Sequence, residues 1–157
     1  MTTDNPRTTY RRRFGLVIGI ALAVAFVESH LVVPATPSIR WHALWISPGT
    51  IAKGDYANVL IRSDIIDRDD AVKLTKRVAC VAGDYLKYEN GQHFCNGTWL
   101  GRTLKETRDG VPLTGFAWDG PIPAGKAYLA GENERSFDSR YFGLVDVAAL
   151  TRVTPLF

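Results

Sequence analysis

An apolar run close to the N-terminus constrains this chain more than any other feature. Every residue in the range 14–27 is apolar or glycine, and residues 31–33 resume the pattern after Glu28-Ser29-His30. As a helix, residues 14–33 would be about 30 Å long, which matches the hydrocarbon core of a bilayer. We therefore predict a transmembrane anchor at residues 14–33.

Two other interpretations of this segment stay open. Arg11–Arg13 resembles the basic start of a cleaved signal peptide, and residues 33–35 have small-residue character. A buried helix of a soluble protein is the other interpretation. Because arginines precede the segment and none directly follows it, the membrane interpretations place a basic tail, residues 1–13, in the cytoplasm. Residues 34–157 are then exported.

Charge separates the tail from the rest of the chain. The formal net charge is +3, and residues 1–13 carry four arginines against one aspartate. The other residues contain fifteen basic and fifteen acidic side chains, whereas a nucleic-acid-binding domain carries a basic face. Three scattered histidines and two cysteines give no zinc spacing, and no phosphate-binding glycine loop is present. We expect no cofactor, no metal and no nucleic-acid partner.

After Pro34 the sequence becomes β-rich. Strand-like stretches alternate with turn signals, of which Asn90-Gly91 and Asn96-Gly97 favour tight hairpins. The predicted strands are residues 43–46, 57–62, 74–81, 85–88, 92–95 and 127–130. We interpret residues 65–70 as a surface loop and residues 146–150 as one helical turn. The predicted fold class is mostly β, preceded by one transmembrane helix.

A lysine and a serine are the first candidate site residues. Lys76 stands inside an apolar strand, and a buried lysine without a partner tends to lose its proton and become a base. Ser38 follows Pro37, which restricts the local backbone. A neutral lysine can activate a serine hydroxyl for nucleophilic attack. The backbone N–H of Ser38 and the hydroxyl of Thr36 are candidate donors to the resulting oxyanion.

A third candidate stretch covers residues 131–143. If it is extended, Ser136, Asp138 and Arg140 point to one side, because side chains alternate along a strand. An Asp138–Arg140 ion pair would then brace the site while the Ser136 hydroxyl orients the amine of Lys76. The alternative is a turn with a solvent-exposed ion pair.

The two cysteines admit two interpretations. Cys80 and Cys95 fall in neighbouring predicted strands. In an exported domain they can form a disulfide that closes a loop of about 15 residues, worth about 3 kcal/mol. Two unpaired buried thiols are the alternative.

These pieces, in this order, resemble the Ser-Lys signal peptidase family. The matching segments are Pro37-Ser38-Ile39 behind an anchor, Lys53-Gly54-Asp55, Lys76-Arg77-Val78 with Gly83-Asp84, and the stretch from Ser136 to Gly143. The resemblance implies a β-rich catalytic domain in the periplasm, held by a single pass in the bacterial inner membrane. It implies the following roles: nucleophile Ser38, general base Lys76, oxyanion-hole hydroxyl Thr36, lysine-orienting Ser136, and supporting pair Asp138 and Arg140.

The chain departs from the family pattern in two places. Ile39 replaces the family's methionine after the serine, and no proline follows at the expected place. The usual Gly-Asp-Asn-Arg run reads Gly131-Glu132-Asn133-Glu134 and lies one residue closer to Ser136.

The short connection between the lysine strand and the last motif resembles the TraF-type peptidases of conjugative transfer. These peptidases mature a pilin subunit, and some join its cleaved ends into a circle. The implied partners are a pilin or other precursor with small residues before the cut, membrane lipid, and conjugation or secretion machinery. An acyl-enzyme on Ser38 that is resolved by an amine instead of water gives the circular product.

Three alternative functions are considered, of which the first two are carried forward. One is a general leader peptidase for secreted preproteins, and another is a non-catalytic periplasmic assembly module on the same fold. A self-cleaving Ser-Lys regulator is the third. That regulator requires a DNA-binding region ahead of the serine, where this chain has its apolar segment.

Overall fold

The computed structural model describes the backbone of residues 6–157 and the side chains of residues 13–66 and 70–157. The chain divides into two compact units, Met1–Leu31 and Val32–Phe157. The first five residues of the predicted basic tail lie outside the described part.

The first unit consists of helix α1, Pro6–His30. Proline suits the first helical position because its missing N–H is not needed there. The helix begins inside the basic segment and ends before the predicted boundary at Val33. Val33 precedes Pro34, and a residue before proline is disfavoured in helical geometry. The part Arg13–His30 has a mean hydropathy of 1.5, none of it is buried, and it is long and apolar enough to cross a membrane.

The second unit contains two β-sheets and two short helical segments. Its elements in chain order, beginning with the strand that joins the two units, are β1 Leu31–Val32, β2 Leu44–Ile46, β3 Tyr56–Ser63, β4 Asp67–Val81, β5 Tyr85–Glu89, β6 Gln92–Cys95, β7 Thr98–Arg102, β8 Gly120–Pro121, β9 Lys126–Ala130, helix α2 Ser139–Phe142, β10 Val145–Asp146, a 3-10 turn Val147–Ala149, and β11 Thr151–Pro155. The larger sheet has the order β1-β2-β11-β3-β4-β9-β10, and the smaller has the order β7-β6-β5-β8. The fold is mostly β, as predicted.

The six predicted strands and the helical turn near residue 148 are confirmed, whereas the loop predicted at residues 65–70 is confirmed only at residues 65 and 66 and is wrong from Asp67 onward. Strand β4 already begins at Asp67, where it pairs with Ser63 of β3. β4 pairs with β9 only from Arg77 onward, so the first part of β4 lies in a two-stranded ribbon with β3. Such a ribbon tolerates charged residues, which is why its strand character was not visible in the sequence.

Strand β4 connects the two sheets. Its Val78 belongs to a buried cluster with residues of β3, β9 and β10. Its Ala79 and Cys80 belong to another buried cluster, which also contains residues of β5, β6 and β9. Cys80 forms a disulfide with Cys95 of β6, with a Cα–Cα distance of 6.0 Å. The structure thus pairs the two cysteines, and the bond ties the lysine-bearing strand to the smaller sheet.

Candidate active site

Lys76 lies in the middle of β4, and 2% of its surface is exposed. The backbone of β4 fixes its position by antiparallel pairing with Ala57 of β3. Its Nζ donates a hydrogen bond to Oγ of Ser136 at 2.8 Å. The contact expected between these two side chains is therefore present.

Burial governs the protonation of Lys76. Desolvation lowers the pKa of its ammonium group from 10.5 to about 8; Asp138 raises the pKa and Arg140 lowers it. The carboxylate of Asp138 is engaged by the guanidinium of Arg140, so it offsets only part of the cost of the buried charge. With a pKa of about 8, roughly one lysine in ten is neutral at pH 7. The site therefore supplies a usable base near neutral pH.

Asp138 and Arg140 form a buried ion pair, but not in the extended geometry predicted for them. Asp138 is the N-cap of helix α2, and its Oδ1 accepts a hydrogen bond from the Arg140 backbone N–H at 3.1 Å. The guanidinium donates to both carboxylate oxygens, each at 2.8 Å. Their side chains are 0% and 1% exposed. The extended arrangement is wrong, because aspartate capping starts a helical turn here. The alternative of a turn is correct, but its solvent-exposed ion pair is wrong, because both side chains are buried.

The remaining N–H groups of Arg140 hold the preceding loop. They donate to the carbonyl oxygens of Ser136 at 3.1 Å, Glu134 at 3.0 Å and Asn133 at 3.2 Å. A further bond reaches the carbonyl of Arg102 at the end of β7, at 3.2 Å. Arg140 thus fixes the loop that carries Ser136, which explains why a rigid, multidentate side chain occupies this position.

Gly131 lies between the side chain of Ser136 and the main chain of Ser38. Its N–H donates to Oδ2 of Asp138 at 2.8 Å. A Cβ atom at this position would collide with Oγ of Ser136 and lie 3.1 Å from the carbonyl oxygen of Ser38. The main chain of Ser38 and the side chain of Ser136 can approach each other only because residue 131 is glycine.

Ser38 is half-buried and hydrogen-bonded to Thr36 in two ways. The two hydroxyl oxygens lie 2.9 Å apart, and the Ser38 N–H donates to the Thr36 carbonyl at 2.7 Å. Both oxyanion donors expected from the sequence are therefore engaged within their own segment. Among the described residues, Ser38 and Lys76 are not hydrogen-bonded to each other. Catalytic hydrogen bonds often tighten only when substrate is bound.

Glu132 contacts the serine segment, and no role was assigned to it from the sequence. Its N–H donates to the Ser38 carbonyl at 2.7 Å, and its carboxylate accepts the Arg40 N–H at 2.7 Å. The same carboxylate accepts the Tyr56 hydroxyl at 2.7 Å. The only signal in the sequence was its place in the run Gly131–Glu134, because pairing across 92 residues leaves no local pattern.

Two other motif segments contact each other through an ion pair. Lys53 Nζ forms an ion pair with Asp84 at 2.9 Å, which joins the Lys53-Gly54-Asp55 and Gly83-Asp84 turns. Cys80, Asp84 and Cys95 are the one group of described side chains with ligand atoms close enough for a metal ion. The two sulfur atoms are bonded to each other, so they are not available as thiolate ligands in this state.

Comparison with known proteins identifies the family. Residues 11–154 match the family described as signal peptidase, peptidase S26. The chain therefore belongs to this family and is a serine peptidase of the class that cleaves exported precursors. A signal peptidase I from Enterococcus faecalis V583 has a similar crystal structure, with 20% identity and a TM-score of 0.44 over 71% of this chain and 100% of the other. No curated protein matches the sequence.

Proposed function

We propose that this chain is a membrane-anchored endopeptidase in which Ser38 is the nucleophile and Lys76 is the general base. The buried amine of Lys76 is the observation that carries this proposal. Its pKa is lowered to about 8, and it is hydrogen-bonded to Ser136, whose side chain meets the Ser38 main chain at Gly131. Ser136 orients the amine, and the Asp138–Arg140 pair holds Ser136 in place.

The reaction follows from these groups. Neutral Lys76 accepts the proton of the Ser38 hydroxyl while Oγ forms a bond to the scissile carbonyl carbon. The carbonyl oxygen becomes an oxyanion, which the Thr36 hydroxyl and the Ser38 N–H stabilise once they leave their present partners. The Lys76 ammonium then donates its proton to the leaving amine as the C–N bond breaks. Water or an amine attacks the resulting ester, and the hydroxyl of Ser38 is regenerated.

The anchor and its orientation belong to the same proposal. Arg13–His30 is suited to span the inner membrane, with the basic end in the cytoplasm and residues 34–157 in the periplasm. The Cys80–Cys95 disulfide suits an oxidising compartment. Intact-mass measurement of the protein extracted from membranes distinguishes a retained anchor from a cleaved signal peptide, because cleavage removes the whole segment.

We further propose a pilin or other exported precursor with small residues before the cut as the substrate. The resemblance to TraF-type peptidases supports a pilin, and aminolysis of the acyl-enzyme would circularise it. A general leader peptidase would instead process many secreted preproteins. An assembly module would work without any chemistry at Ser38.

Co-expression with a candidate pilin precursor, and separately with a secreted preprotein, tests these alternatives by intact-mass analysis. Ser38→Ala and Lys76→Ala are each expected to abolish processing, while Ser47→Ala and Lys73→Ala serve as matched controls. A circular pilin is one water lighter than the linear mature chain. Processing that survives in the Ser38 or Lys76 variant contradicts the dyad, and unaltered pilus assembly in both supports the non-catalytic module.

A further inference from the structure

The serine segment lacks regular secondary structure. Ser38 lies between β1 and β2, in a stretch without strand or helix. A nucleophile must nevertheless be held within about 0.5 Å of its productive position. One restraint is hydrophobic, because Ile39 is 6% exposed and packs in a core cluster with Tyr56. Ser38 is also bonded to Thr36 within its own segment, and two restraints from outside the segment come from Glu132.

Glu132 binds the serine segment on both sides of Ile39. Its N–H donates to the Ser38 carbonyl, and its Oε2 accepts the Arg40 N–H, both at 2.7 Å. This is the bonding pattern of a β-bridge, except that a side-chain carboxylate replaces the second main-chain carbonyl. Two hydrogen bonds to alternate residues fix both the position and the rotation of the peptide units around Ser38.

The carboxylate is itself fixed by two further side chains. The Arg40 guanidinium approaches Oε1 at 3.1 Å, and the Tyr56 hydroxyl donates to the same atom at 2.7 Å. Burial raises the pKa of Glu132, but hydrogen bonds from Arg40 and Tyr56 lower it more, so the net pKa is below 4.5. Glu132 is therefore ionised at neutral pH, and its carboxylate accepts hydrogen bonds from Arg40 and Tyr56.

We propose that Glu132 is a positioning residue for the nucleophile: its carboxylate holds the main chain at Ser38 and Arg40 so that the hydroxyl can reach the scissile carbonyl. The proposal rests on the proposed function of Ser38.

The contacts of Glu132 differ from those of Lys76, the proposed base. Glu132 contacts Ser38, Arg40 and Tyr56, whereas Lys76 contacts Ser136. Loss of the carboxylate should therefore lower kcat without changing the pH at which Lys76 titrates. A displacement of about 1 Å at a reacting atom can cost on the order of 100-fold in rate, and partial restraint by Ile39 keeps the loss below that limit.

The test compares Glu132→Ala and Glu132→Gln with Glu134→Ala in the full-length protein, using the precursor that the wild type processes. Glu134 lies in the same loop, and its carboxylate pairs with Arg102 in an exposed ion pair, so its loss is a matched control. We expect Glu132→Ala to lower kcat by about 10- to 100-fold with KM changed less than about twofold. Glu132→Gln should lie between Glu132→Ala and the wild type, because its amide oxygen still accepts one bond.

Amide hydrogen exchange gives a readout independent of turnover. In Glu132→Ala the Arg40 amide is expected to exchange at least about tenfold faster, while the amides of β3 and β4 keep their protection. Unchanged kcat and unchanged Arg40 exchange would overturn the assignment, as would an equal loss in Glu134→Ala or a rise in KM alone. If Glu132→Ala does not fold, Glu132→Gln decides by the same two measurements. Processing retained in Ser38→Ala defeats the proposed function instead, independently of the Glu132 variants.

Discussion

The side chains of Lys76 and Ser136 are 60 positions apart in sequence, yet Nζ donates to Oγ at 2.8 Å inside the domain. The two residues are 2% and 4% exposed. Within the described part of the chain, the Ser136 hydroxyl is the one hydrogen-bond partner of the Lys76 amine. The neighbouring carboxylate of Asp138 is already paired with Arg140. The fold thus holds an amine whose charged form is costly, which is the property a general base needs near neutral pH.

Lys76→Met is predicted to raise stability while abolishing peptidase activity. The folded-state pKa of about 8 lies below the ordinary 10.5, so below pH 8 the buried charge costs the native state about 3 kcal/mol. In the wild type this penalty is relieved as the pH rises from 8 to 10.5. The gain in free energy of unfolding of Lys76→Met should therefore be largest at pH 7 and shrink over that interval. Urea unfolding at several pH values measures it, with exposed Lys73→Met as the control.

The pH dependence of kcat/KM is predicted to follow the same group. Under the proposed mechanism the neutral amine is the active form, so the rate should rise about tenfold per pH unit below pH 8 and level off above it. His93 does not contribute in this range, because burial lowers its pKa to about 4. A rise in kcat/KM with its midpoint near pH 10.5, or no rise with pH at all, would contradict the role assigned to Lys76.

Gly131→Ala is predicted to damage the site without straining the backbone. The added Cβ would occupy the position of Ser136 Oγ, so the hydroxyl that accepts the hydrogen bond from Lys76 must move. We expect kcat to fall by about 100-fold or more, as for a displaced catalytic group. The control is Ala124→Ser, a change at an exposed position of a surface turn. The neighbouring Gly125 is not substituted, because its φ of +75° would strain any other residue. Full activity in Gly131→Ala would show that Ser136 does not orient the lysine.

Reduction of the Cys80–Cys95 disulfide is predicted to destabilise the domain. The bond closes a sequence separation of 15 residues, and opening a loop of this length costs about 3 kcal/mol in the chain-entropy account. Chemical unfolding with and without dithiothreitol measures the effect, and a Cys80→Ala/Cys95→Ala variant controls for the reductant. Equal stability under both conditions, with the thiols shown to be free, would mean that the cross-link contributes nothing.

Much of the fold could be predicted because its signals are local. Hairpin turns such as Asn90-Gly91 take the positive φ angles that the sequence indicates, and the strands flanking them follow alternating patterns. The start of β4 was missed because the run 67–70 is charged, and its backbone lies in the part of β4 that pairs with β3 and not with β9. Strand β11 was missed because its pairing partners, β2 and β3, are about 100 residues away.

The candidate site was likewise predictable only where its signals are local in the sequence. Lys76 was recognisable as an anomaly, a cation in an apolar strand, and the contacts Lys76–Ser136 and Asp138–Arg140 are present. The helical turn at Asp138 and the bonds between Thr36 and Ser38 depend on capping and loop geometry that spacing alone does not encode. Glu132 was missed because its three partners, Ser38, Arg40 and Tyr56, are brought to it only by the folded chain.

The central claim is that Lys76 activates Ser38 to form a covalent acyl-enzyme. Rapid acid quench of the full-length protein with its precursor, followed by intact-mass analysis and peptide mapping, tests it most directly. The account predicts a mass increase equal to the acyl fragment, located on Ser38 in the wild type and absent from Lys76→Met. An adduct on another residue, or an adduct that forms on Ser38 equally fast in Lys76→Met, would contradict it.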